Sequence, residues 1–135
     1  MNKSIRIGGA SGFWGDSYRA TEQLIQDTTL DFIVYDYLAE ITMSIMARAR
    51  AKSPSAGYAT DFIDAVIKPY IKRISTHNTR LISNAGGVNP EKCAEVISEL
   101  VKDLQLNLKV SCITGDDLMG SAQEIKNMNC KEMFS

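Results

Sequence analysis

Thr79–Val101 reads TRLISNAGGVNPEKCAEVISELV, and its parts in order are a strand, a glycine turn and a helix. Leu81 and Ile82 lie in a short apolar run suited to a buried strand. Ser83-Asn84-Ala85-Gly86-Gly87 breaks that run, and adjacent glycines let the backbone reach positive φ without a Cβ clash. Asn89-Pro90 begins a helix: Asn can accept from the first free N–H groups, and Pro at the first helical position forfeits no hydrogen bond. Cys93, Ile97, Leu100, Val101 and Leu104 recur at helical spacing and predict one apolar face. A polar glycine turn thus joins the carboxyl end of a strand to the amino end of a helix. Open α/β sheets bind ligands there, and a helix amino end favours an anion. The alternative is that Gly86-Gly87 only reverses the chain.

Upstream, Ile5-Arg6-Ile7 starts a first strand and GGASGFWGDS follows it. Gly9, Gly12 and Gly15 are three apart, so the dinucleotide fingerprint is absent. What is left is a glycine-rich loop whose backbone can approach a phosphate or carboxylate, or a turn that packs Trp14 into the core. Asp16 or Ser17 is placed to cap a helix to about Gln26, with Ala20, Leu24 and Ile25 inward. Asp31–Asp36 (DFIVYD) is a second strand, apolar enough for burial on both faces as in a parallel sheet. A long helix then runs through about Lys52, with Leu38, Ile41, Ile45 and Ala49 along one face and Met43 and Met46 as core filler. Thr60 or Asp61 caps the next helix, where Phe62, Ile63, Val66, Ile67, Tyr70, Ile71 and Ile74 form rows and Pro69 must kink or restart it.

Downstream, Leu106–Thr114 (LNLKVSCIT) reads as a last strand and ends in Gly115-Asp116-Asp117. The order is β-α-β-α-α-β-α-β, which predicts an α/β fold with a mainly parallel sheet and right-handed crossovers. Residues 1–120 form the α/β part, and 121–135 form a tail with no assignment. Strands are expected near 4–8, 31–36, 79–83 and 108–113. All their following loops would then meet at one edge. The candidate ligand-binding residues are Gly8, Gly9, Ser11, Gly12, Asn84, Gly86, Gly87 and Asn89. The candidate catalytic carboxylates are Asp36, Glu40, Asp116 and Asp117, which could act as acid–base groups or hold a divalent cation. Asp116-Asp117 can equally be a solvated turn.

Composition bounds the function. A chain of 135 residues can bury about two-thirds of its unfolded surface, enough for one core. Hydrophobic residues make up 44%, which argues against disorder. A net charge of −1 argues against a nucleic-acid partner held through phosphate neutralisation. Cys93, Cys112 and Cys130 form no CxxC pair and fit a reducing compartment, with Cys93 and Cys112 expected as buried thiols. His77 has no nearby ligand partner and no zinc site is expected; it reads as an exposed loop residue. No run approaches the roughly 18 apolar residues of a membrane span, so no membrane partner is expected.

IGGASGFWGDS, LDFIVYDYLAEITMSIMARARAKSPSAGYATDF, LISNAGGVNP and KVSCITGDD resemble the amino-terminal part of the acyclic terpene utilisation (AtuA-like) family over residues 5–118. The resemblance implies a cytoplasmic protein linked to bacterial breakdown of acyclic terpenes such as citronellol and geraniol, whose acids are processed as CoA thioesters. It carries over no catalytic residue and implies no particular cofactor. Family members are several times longer, so it also implies an incomplete part of a larger domain. Such a part would self-associate or pair with the missing remainder. Three roles follow: an enzyme domain acting on a terpenoid acid or acyl-CoA, a non-catalytic binding or assembly module, or an inactive remnant.

Overall fold

The computed structural model describes residues 4–26 and 30–131. Strand β1 (Ile7–Ser11) leads to α1 (Ala20–Leu24), β2 (Phe32–Tyr35) and α2 (Glu40–Lys52). A π-helical turn, Phe62–Ile67, runs straight into α3 (Lys68–His77), and β3 (Arg80–Ser83), α4 (Pro90–Asp103) and α5 (Ala122–Asn127) follow. The sheet is all parallel in the order β1-β2-β3, with Ile7 opposite Phe32 and Phe32 opposite Arg80. The α/β class and the parallel sheet are as expected from the sequence. The chain follows the predicted β-α-β-α-α-β-α order.

The last strand differs. Leu106–Val110 is not assigned to the sheet. Its side chains nevertheless alternate as a strand's would: Leu106, Leu108 and Val110 pack on the core, and Asn107 and Lys109 face solvent. Alternation needs only one apolar neighbour, whereas a strand needs a paired backbone. Cys112, just beyond, is exposed rather than buried, while Cys93 is buried in α4.

The core lies on one face of the sheet. Ala10, Ile33 and Tyr35 point into it and meet Phe62, Ile63, Val66, Ile67 and Ile71. The Tyr35 and Phe62 rings sit edge to face, 5.3 Å apart, and the Tyr35 and Thr21 hydroxyls share a buried 3.0 Å hydrogen bond. Pro69 is expected from the sequence to kink or restart the helix; at its place the π-helical turn gives way to α3, with the backbone helical throughout. Pro69 has no N–H for the turn before it and its ring crowds that turn, which widens to π geometry. Asn78 ends α3 in the left-handed conformation at φ 56°. His77 is the last residue of that helix, half-buried with its Nδ1 unpaired, rather than an exposed loop residue.

Helix α2 turns a different face inward from the one predicted. Ile41 and Ile45 are 71% and 48% exposed, and Thr42 and Met46 are buried instead. Leu38 lies before the helix. The Thr42 hydroxyl accepts from Ala39 N–H at 2.7 Å and donates to Ala39 O at 2.8 Å, which fixes Thr42 inward. Met46, one turn on, is core filler as expected, at 1% exposure.

The predicted side-chain caps are also absent. Asp16 accepts from Gly12 N–H at 2.9 Å in a turn, and α1 follows Arg19 at the N-cap position with no side-chain cap. Neither Asp61 nor Asn89 caps its helix.

Candidate functional site

Parallel strands deliver their following loops to one edge, and three sequence-predicted residues meet there. The Ser11 hydroxyl donates to Asp36 O at 3.0 Å, and Asp36 N–H donates to Ser11 O at 3.3 Å. The Asn84 side-chain amide donates to Asp36 Oδ1 at 2.8 Å, while its own oxygen accepts from Tyr37 N–H at 2.7 Å. One residue from the end of each strand is therefore tied into a single network. The Asn84 amide, then the Leu38 N–H, hold the Asp36 carboxyl below its ordinary pKa. Asp36 stays fully exposed and charged above the sheet edge.

The stretches 53–59 and 85–89 clamp each other. Ala59 N–H donates to Ala85 O at 2.8 Å and Val88 N–H to Gly57 O at 3.0 Å. The Asn89 side chain is buried and donates to Pro54 O at 2.9 Å and Ala56 O at 2.7 Å, so it ties the upstream loop rather than the helix. Gly87 has φ 55°, and a Cβ there would collide with Met46 Sδ and stand 2.8 Å from Gly57 O. Gly57, at φ 106°, has the same restriction against Arg50 Cβ at 2.9 Å. Both positions require glycine for conformation and for closeness of approach. The sequence placed GYATDF and SNAGGVNP apart; they are two halves of one contact.

Above this clamp lies an open groove of about 970 Å³. One wall is α2 through Met43, Ala47 and Ala51, another the amino end of α4, and the third the segment from Thr114 to Lys126. Arg50 joins all three: its guanidinium donates to Val88 O and stands 3.6 Å from Asp117. Asp116, Asp117, Gly87 and Asn89 therefore share this groove. Glu40 lies exposed in the first turn of α2.

The glycines of the first loop divide. Gly8 is buried against Leu24, 2.9 Å from where its Cβ would be, and Gly9 faces outward with no atom within 4 Å. The Gly12 N–H is used by Asp16. Gly86 is packed against Pro90, whose Cα would lie 2.8 Å from a Cβ. The candidates thus fall into an edge network (Ser11, Asp36, Asn84), a groove (Gly87, Asn89, Asp116, Asp117) and packing or outward positions.

Four residues at these sites were absent from the sequence-predicted set: Arg50, Trp14, Tyr37 and Asp61. The Trp14 indole N–H donates to the Asp61 carboxylate, 47 residues away. Burial raises the Asp61 pKa, and the Trp14 bond opposes that. Among the described residues no three histidine, cysteine or carboxylate groups come together as a metal site, and no helix is long and apolar enough to cross a membrane.

No curated protein and no solved structure matches the chain. A family model does, and over residues 5–134, which extends into the tail beyond the stretch 5–118 that carries the resemblance in the sequence. The motifs quoted from the sequence are the same ones that build the edge network and the clamp, and the chain belongs to the acyclic terpene utilisation family AtuA.

Proposed function

We propose that the chain serves acyclic terpene utilisation in the cytoplasm by binding an apolar carboxylic acid, or its CoA thioester, in the groove between α2, α4 and the segment 114–126. The observation that carries the reading is the groove itself. Its volume suits a small-molecule ligand, and Met43, Ala47, Ala51, Val88, Leu118, Met119 and Ile125 give it an apolar floor. Lys126 and the amino end of α4, which has no side-chain cap, supply the positive side for an acid head. Asp117 is already paired with Arg50, and Asp116 and Glu91 are the carboxylates left to handle a proton.

The test is a melt of the chain with a branched ten-carbon acid and with its CoA thioester. Ligand at a hundredfold over Kd should add about 2.7 kcal/mol. Ala47→Trp fills the groove from an exposed position and should erase the shift while leaving the unliganded Tm in place. Asp116→Asn should alter the ligand shift and leave the unliganded Tm nearly unchanged, since Asp116 is exposed. No shift with either ligand defeats the reading.

A second reading, an assembly module, is supported by the other face of the sheet. Ile7 and Ile82 are 62% and 53% exposed there, beside the half-buried Phe32 and Val34. Parallel sheets are ordinarily covered on both faces. Self-association that rises with concentration in light scattering, and is lost in Ile7→Lys/Ile82→Lys, is the expected result; a monomer at high concentration counts against it.

A further inference from the structure

A second cavity, separate from the groove, lies between the glycine-rich loop and the start of the π-helical turn. It is small, about 10 Å³, or room for about one water-sized group. Two carboxylates line it, Asp16 and Asp61, with three aromatic rings, Phe13, Tyr18 and Tyr37. No lysine or arginine lines it among the described residues.

Each polar wall group has capacity left. Asp16 accepts from Gly12 N–H and Asp61 from the Trp14 indole, but a carboxylate has about four acceptor sites. Tyr37 is 5% exposed, its ring held edge-on by Phe62 at 5.7 Å and tilted against Tyr35 at 6.3 Å. Its hydroxyl makes no hydrogen bond with the described residues, so its oxygen keeps its acceptor capacity for a donor at the cavity.

The wall chemistry selects the occupant. Two carboxylates repel an anion. An apolar group would use none of the acceptor sites on the two carboxylates and the Tyr37 oxygen. A primary ammonium is a single-atom head with three donors, and aromatic faces attract cations. Phe13 and Tyr18, 54% and 68% exposed, stand at the wall ready to cover an alkyl stem. We propose that this cavity binds the primary ammonium group of an alkylamine, held by Asp61, Asp16 and the Tyr37 oxygen.

Trp14 is the only tryptophan, so its indole N–H gives one NMR resonance that reports on the Asp61 bond. The full chain is titrated with n-butylammonium chloride, and with butan-1-ol, sodium butyrate and sodium chloride at matched ionic strength. The expected result is a saturable shift with butylammonium alone. Asp61→Asn should weaken it about tenfold or more, because the charged partner is lost. Asp64→Asn, an exposed carboxylate paired with Lys68 at 2.6 Å, should leave it unchanged. No saturation in the wild type, an equal shift from butan-1-ol, or undiminished affinity in Asp61→Asn overturns the proposal. If Asp61→Asn loses its dispersed amide spectrum, Asp16→Asn and Tyr37→Phe take its place, and undiminished affinity in both overturns the proposal.

Discussion

The two faces of the sheet share residue types and differ in surroundings. On one, Gly8, Ala10, Ile33 and Tyr35 lie under α1 and the π-helical turn; on the other, Ile7, Val34 and Ile82 meet solvent, with the Arg80 guanidinium 5.7 Å above the Phe32 ring. Neighbours along one strand therefore differ completely in what they contribute. The cause is topological. Crossovers of one hand through the order β1-β2-β3 lay their helices on the same side, and among the described residues no layer covers the other. Isoleucine stabilises this fold only where the connection has put a helix above it.

Cavity formation should give the largest difference. Ile33→Ala removes a fully buried side chain in the central strand and should cost about 3 kcal/mol in urea unfolding, within the usual 2–5 for such truncations. Ile82→Ala, on the neighbouring strand but the open face, should cost under about 1 kcal/mol, because its side chain leaves little buried volume behind. Comparable losses for the two would mean that the open face is covered in solution.

A subtler version uses adjacent glycines in β1. Gly8→Ala places a methyl 2.9 Å from Leu24 and 3.1 Å from Leu30, and should cost about 1 kcal/mol as those side chains shift. Gly9→Ala meets nothing within 4 Å and should be neutral or stabilising by about 0.5 kcal/mol, through the lost freedom of the unfolded chain. Thermal melts of both variants check the sign, and a destabilised Gly9→Ala would break the contrast.

The smallest effect lies at the edge where the faces meet. Asp36 has its folded pKa held down by Asn84, so its contribution is complete above its unfolded value of about 3.9 and is lost as pH falls through the depressed folded value. The Tm difference between the wild type and Asp36→Asn should therefore be small at neutral pH and close on acidification. A difference that persists unchanged through pH 3 would show that the hydrogen bond, not the charge, matters there.

These contrasts mark how much could be read in advance. The parallel strands were legible in the apolar run DFIVYD and the long connections, because burial and chain length restrict topology strongly. The inward face of α2 was not. IxxxI at 41 and 45 and TxxxM at 42 and 46 both have helical spacing, and periodicity cannot rank two stripes. The reciprocal Thr42–Ala39 bonds and the bare Gly87 beneath Met46 chose the second. LNLKV showed the alternation of a strand, but a ladder depends on a neighbouring backbone that no local pattern contains.

The candidate site divides in the same way. Ser11, Asp36 and Asn84 were identifiable because polar residues just past strand ends in a parallel sheet must share an edge. Trp14 and Asp61 were not, since 47 residues separate them and neither sits in a recognisable motif with the other. By itself the sequence determined the class, the order of the elements through α4 and the family, which follow from hydrophobic runs, turn chemistry and long motifs. Only the tertiary structure decided which isoleucines are core, why Gly57 and Gly87 must be glycine, and that Tyr37 and Asp61 line one cavity. Those outcomes depend on distances between segments far apart along the chain, and such distances are fixed only when the elements pack.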